Sequence, residues 1–218
     1  MTSKTMTAAL LAMVALGPGC ATTPYKAKVL STTEMACVTD FADVVRKPLR
    51  PLDAKTTEKL SYIEFADLAQ CYRNGDASTP LALYAFEGVA PPAEAKVSVL
   101  LSTGGTFAAA VDVLDAQFKP LQHHGFDAFV RRGDEYSLTV FLNPSDPAPA
   151  YLMLVPDQAQ VGKKDIAIGS TATSTVITAG PVMFIYTNGA ETSAVREFMA
   201  GGKLKVTVKP QTMAAFDR

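Results

Sequence analysis

Beyond Pro80 the chain falls into short runs in which apolar and polar positions alternate, each closed by glycine or proline. Leu81–Glu87 stops at Gly88 and the Pro91-Pro92 pair, and Lys96–Leu101 meets Gly104-Gly105. Thr106–Leu114 sets Phe107, Ala109, Val111 and Val113 on one face and Ala108, Ala110, Asp112 and Leu114 on the other. A period of two over such lengths marks strands with one face buried. Ser102–Gly105 suits a hairpin, because glycine tolerates the positive φ of tight turns. Glu135–Leu142 groups Tyr136, Leu138, Val140 and Leu142, and the proline-rich Asn143–Pro149 separates it from Tyr151–Val155. Further strands are predicted at Asp165–Ile168, Val182–Thr187 and Lys203–Val208, the last with Leu204, Val206 and Val208 inward. Half-solvated strands bury their apolar sides when two sheets face each other about 10 Å apart. The predicted fold is therefore all-β: an antiparallel β-sandwich, jelly-roll-like, spanning residues 40–218 as a single domain with one or two short helices.

Two segments read as helix. Glu191–Ala200 carries an apolar stripe of Ala194, Val195, Phe198 and Met199, with Thr192 or Ser193 to cap it and Gly201-Gly202 to stop it. A shorter helix fits Asp40–Arg46, ahead of Pro48 and Pro51. Ser61–Leu68 satisfies either a strand or a helix, and its pattern does not choose.

The chain opens with Lys4, an apolar run over Met6–Gly17, and then Pro18-Gly19-Cys20. The run is too short to cross the ~30 Å bilayer core as a helix and reads as a secretory signal over residues 1–19. The segment resembles bacterial lipoprotein signals, with Cys20 as the acylated first residue; the alternatives are simple cleavage near Ala21 and a retained anchor. Residues 20–39, small, polar and poorly periodic, read as a lipidated spacer. Ala21 is not the aspartate that goes with inner-membrane retention, so the expected location is the periplasm, with an outer-membrane anchor.

With 48% hydrophobic residues, 8% aromatic residues and a formal net charge of −1, the chain has no basic field to gather phosphates, and nucleic acid is not an expected partner. Cys37 and Cys71 are the thiols that remain after Cys20. An oxidising compartment favours joining them, the alternative being two isolated buried thiols. Neither has a second cysteine or a histidine nearby, so no metal site is expected.

Catalytic chemistry has few carriers. His123 and His124 are the only histidines, and as neighbours in an extended chain they point to opposite faces. They read as solvated turn residues before Gly125, the sharper alternative being a metal or acid–base site with Asp115 or Asp127. There is no Gly-x-Ser-x-Gly elbow, and Gly104-Gly105 lacks the following residues of a phosphate loop. A glycosidase would need two carboxylates about 5–9.5 Å apart; Asp112, Asp115, Asp134 and Glu135 read more simply as strand and turn charges. No cofactor is expected. For ligand contact the candidates are Tyr72 beside Arg73 and Asn74, and Phe126 or Phe129 beside Asp127 and Arg131, since sugar sites pair exposed rings with polar side chains.

Cys37 with its polar sequel, the Ala109–Phe118 run with Leu114-Asp115 ahead of Phe118, the Tyr151–Val155 strand and the terminal Gly202–Val208 together resemble the periplasmic protein family encoded in bacterial maltose operons. The resemblance implies a β-rich envelope protein from a carbohydrate-uptake setting, with no catalytic residues to carry over. The expected function is thus a noncatalytic cell-envelope lipoprotein with an accessory binding or structural role. Its partners would be the membrane, through its lipid, and an envelope protein or glycan. A saccharide-binding module and an envelope hydrolase are the alternatives.

Overall fold

The structure is a computed structural model that describes residues 25–28, 35–52, 61–102, 104–144, 147–179 and 182–211. The signal, Cys20 and Gly180-Pro181 lie outside the described residues. In chain order the elements are β1 (Cys37–Val38), β2 (Arg46–Leu49), β3 (Ile63–Glu64), α1 (Phe65–Leu68), β4 (Gln70–Asn74), β5 (Ala77–Phe86), β6 (Ala93–Leu100) and β7 (Thr106–Phe107). There follow β8 (Ala109–Leu114), β9 (Pro120–His124), β10 (Val130–Arg132), β11 (Glu135–Leu142), β12 (Tyr151–Pro156), β13 (Lys164–Ala179), β14 (Val182–Met199) and β15 (Lys203–Pro210).

The domain is almost all β, with mixed sheets and little helix. One sheet runs β1-β4-β5-β12-β8-β9 with β2 also on β5, a second runs β10-β11-β6-β15-β3, and a third runs β13-β14-β7. Most pairings are antiparallel, as the alternation predicts, but β1 on β4, β2 on β5 and β14 on β7 are parallel. One apolar cluster draws on both large sheets, with Ala82, Val111, Val113, Leu152 and Leu154 from the first and Val97, Val99, Val140 and Leu204 from the second. Phe65 and Phe107, both fully buried, stack within it at 4.4 Å between ring centroids. The first sheet has a second, smaller cluster around Val44, Leu81, Leu83 and Leu114, against which Phe41, Tyr72, Phe118 and Tyr151 pack.

Cys37 and Cys71 face each other in the β1–β4 register and form a disulfide with a Cα–Cα distance of 4.4 Å. Within the stretch read as spacer, Tyr25 donates through its hydroxyl to Glu64 at 2.8 Å, Ala27 is buried, and Lys28 pairs with Asp67.

Three expectations are corrected, and one left open is resolved. Glu191–Ala200 is not a helix: through Met199 it is strand β14, in unbroken antiparallel register with β13 from Lys164↔Glu197 to Ala179↔Val182. The stripe read at helical spacing is split between the two faces of a strand, and cross-strand pairing supplies the backbone hydrogen bonds that a helix would have formed within itself. The Ser102–Gly105 turn does not close a hairpin, because β6 pairs with β11 and β15 while β7 pairs with β14. Asp40–Arg46 forms only one 3-10 turn over Phe41–Asp43, with Asp40 Oδ1 accepting from the Ala42 amide at 2.9 Å, before β2 begins. The ambiguous Ser61–Leu68 contains both readings, strand β3 followed by the single turn of α1.

Candidate functional site

Two places combine exposed chemistry with a defined geometry: a polar cleft beside β9, and the β13–β14 ribbon. The cleft starts from a tight connection. Asp115 is buried, and its Oδ1 accepts from the amides of Gln117 and Lys119 at 2.9 and 2.8 Å, turning the chain from β8 into β9 through Phe118 at φ 62°. The register that follows sets Asp112 opposite His123. Their side chains meet at 2.6 Å between Asp112 Oδ1 and His123 Nδ1, so the partner of His123 is Asp112 and neither Asp115 nor Asp127. The pair is asymmetric: the Asp112 side chain is 14% exposed and His123 is 66% exposed. The half-buried carboxylate accepts from Nδ1–H and orients the ring, leaving Nε2 to accept a hydrogen bond from a hydroxyl.

Both histidines, expected in a turn, lie on β9 and line a cleft of about 540 Å³ with Gly125, Asp127, Asp157 and Gln160. Asp157 is committed to structure, its Oδ2 accepting from the Phe126 amide at 2.9 Å and its Oδ1 from Ala159 at 3.0 Å. Among the described residues no cluster of three or more His, Cys, Asp or Glu side chains is arranged to hold a metal ion. The cleft is equipped to form hydrogen bonds through His123, Asp127 and Gln160.

The expected contact residues separate. Phe126 and Phe129 are not surface rings: they are 4% and 6% exposed and stack at 5.3 Å, with Tyr136 and Phe198 also against Phe126. A 3-10 turn over Phe126–Ala128 folds both rings inward and leaves Asp127 in water. Arg131 is exposed on β10, 3.9 Å from Asp165. Tyr72 is half-buried edge-on against Phe41 at 5.0 Å. Arg73 and Asn74 are exposed, with the Arg73 guanidinium 3.8 Å from Cys37 Sγ. The structure therefore gathers Asp127 with the histidines and leaves the Tyr72–Asn74 group on a different strand, β4.

Glu135, considered as half of an acid pair, is fully engaged. It accepts from Lys96 Nζ at 2.8 Å, from Ser98 Oγ at 3.2 Å and from the Tyr62 hydroxyl. Burial opposes its ionisation, but the hydrogen bonds from Lys96 and Tyr62 outweigh that and hold the carboxyl below its ordinary range.

The ribbon is the largest feature the sequence did not foretell. Strands of this length run about 50 Å at ~3.4 Å per residue. Its described side-chain contacts with the body gather at the base, where the Tyr136 hydroxyl donates to Asp165 Oδ2 at 2.8 Å. Burial, followed by the hydrogen bond to Asp165, pushes the Tyr136 phenol up to about 12. Farther out, residues 174–176 and 187–189, with Met183 and Ile185, are exposed. A usable signal was present, since no charged residue occurs from Ile166 to Ala190.

No protein-family model, curated protein or solved structure matches the chain.

Proposed function

We propose that the chain is an exported, lipid-anchored cell-envelope protein with a noncatalytic accessory role, binding or structural, in a setting linked to carbohydrate uptake. The observation that carries this reading is the covalent pairing of Cys37 with Cys71, a bond that persists in oxidising compartments and not in a reducing cytosol. It accords with the apolar leader ahead of Cys20. Among the described residues no helix is long and apolar enough to cross a membrane, so the acyl groups on Cys20 would provide the anchor in this reading. The domain itself is read as a jelly-roll-like β-sandwich, supported by one apolar cluster built from both large sheets. The maltose-operon likeness rests on segments that form β8, β12 and β15.

Fractionation with intact-mass analysis tests the proposal. Recovery from the envelope, with acyl mass on a chain that begins at Cys20, supports it. Recovery from the cytosol with the leader uncleaved and the thiols reduced overturns it.

A saccharide-binding module is the second reading, favoured by the His123–Asp112 pair beside a polar cleft. Calorimetric titration with maltodextrins and envelope glycans should give saturable heat that His123→Ala abolishes; no heat with any sugar removes this reading.

A further inference from the structure

Residues 25–28, part of the stretch read as a spacer, are seated on the domain. Tyr25 donates to Glu64 at 2.8 Å and lies under Lys203, whose Nζ is 4.6 Å from the ring centroid; the β3–β15 register sets Glu64 and Lys203 opposite each other. Ala27 is 4% exposed, and Lys28 reaches Asp67 at 2.9 Å. Two glycines make room for the backbone of the segment. A Cβ on Gly104 would overlap the Tyr25 carbonyl oxygen, and one on Gly201 would stand 2.7 Å from that of Lys28. Neither glycine has the left-handed backbone seen at their neighbours Gly105 and Gly202, so the property in use is the missing side chain, which lets two backbones approach.

We propose that Tyr25–Lys28 is a fixed strap, and that the acylated chain holds the end of the domain carrying Glu64, Asp67, Gly104 and Gly201 at the lipid headgroups of the bilayer. The orientation rests on the reading of Cys20 as the acylated residue; the strap does not. Only Ala21–Pro24 lie between Cys20 and Tyr25. Five steps of extended chain reach about 18 Å, whereas a spacer free as far as Thr39 would reach about 65 Å. The shorter leash is no longer than β15 itself, which starts at Lys203 beside the strap and covers ~20 Å by Lys209. The strap end therefore stays near the bilayer, and a freely swinging domain is ruled out. Charge does not select this end, since Lys28 is paired with Asp67 and Lys203 faces Glu64. Position alone brings it to the headgroups.

Limited trypsin digestion of the full mature chain in detergent, with its disulfide intact, reads the strap. The Lys26–Ala27 bond should be cut at least about tenfold more slowly than in Gly104→Ala or Tyr25→Ala, because cleavage requires the segment to leave its seat. For the orientation, the acylated chain is placed in phosphatidylethanolamine–phosphatidylglycerol vesicles containing a nitroxide-headgroup lipid, with a fluorophore on Ala66→Cys or on Lys209→Cys. Quenching should be about twofold or more stronger at position 66, given a leash of ~18 Å and the ~20 Å of β15 beyond it. Adding Gly104→Ala should level the two positions. Far-ultraviolet circular dichroism and the retained disulfide check that each variant keeps the domain. Equal tryptic rates in the wild type and both variants overturn the strap. Equal quenching at the two positions, on a chain whose intact mass includes the acyl groups, overturns the orientation. A chain without acyl mass overturns the anchor reading and this orientation with it, and intact mass tells that failure from the others.

Discussion

Glu135 shows how much one side chain can organise. Its carboxylate collects Lys96 and Ser98 from β6 and Tyr62 from just ahead of β3, and its side chain is only 14% exposed. Glu135→Gln should cost about 1–2 kcal/mol in urea unfolding at neutral pH, less than for a buried pair because Lys96 is partly exposed. The folded-state pKa lies below the ordinary 4.5. The stabilisation is therefore complete above the unfolded-state value and fades as pH falls through the folded one. The acid limb of the stability profile should accordingly be shallower in the variant than in the wild type. Phe65 supplies a second test. It is fully buried, stacked on Phe107, and its amide donates to the Gly202 carbonyl at 2.8 Å. Phe65→Ala should cost about 3–5 kcal/mol. Gly202→Ala should also destabilise, since φ is +150° and the new Cβ would stand 3.1 Å from Phe107 Cβ. Equilibrium denaturation measures both. Residue-scale function was the least legible from sequence. Asp112 was visible as an outward charge, but its pairing with His123 needed a strand, β9, that is short, begins with proline and carries no alternating apolar signal.

At the scale of elements, long alternating runs announced themselves. Glu135–Leu142 is β11 residue for residue, and Tyr151–Val155 is extended only by Pro156. The segment from Glu191 to Met199 went the other way because Ala, Glu, Arg and Met favour a helix in isolation. Intrinsic propensity differences are fractions of a kcal/mol per residue, and pairing along the whole of β13 overrides them. Phe126 and Phe129 were placed at the surface by their polar neighbours; their spacing of three, closed into a 3-10 turn, put both rings on one buried side. The disulfide joins β1 to β4 across a sequence separation of 34. Reduction, or a Cys37→Ser/Cys71→Ser chain, should lower stability by about 2–4 kcal/mol, chiefly by freeing the unfolded state. Urea melts with and without reductant measure the difference, and the double serine variant should show no response to reductant.

For the whole molecule, alkaline pH tests the burial of its phenols together. Burial pushes Tyr84 up to about 12 from an ordinary 10.0, and Tyr136 reaches a similar value through burial and Asp165. Tyr25 and Tyr62 are raised further, by burial and then by hydrogen bonds to Glu64 and Glu135. Because the neutral form is favoured in the folded state, the stabilisation is complete below the unfolded value of 10.0 and is lost as pH rises towards about 12. The urea midpoint should hold to about pH 9 and fall steeply by about pH 11, less steeply in Tyr84→Phe.

The amino-acid order by itself determined that this chain is built from strands, where β8, β11, β12 and β15 run, and which of their faces meet the core, because a period of two depends only on neighbours along the chain. It also brought Cys37 and Cys71 forward as partners. Only the tertiary structure decided that β6 and β7 part company, that three pairings are parallel, that the Phe126 ring turns inward, and that residues 164–199 become a ribbon. Those outcomes depend on contacts between segments far apart in sequence, where the energy of pairing and burial outweighs what any short stretch prefers alone.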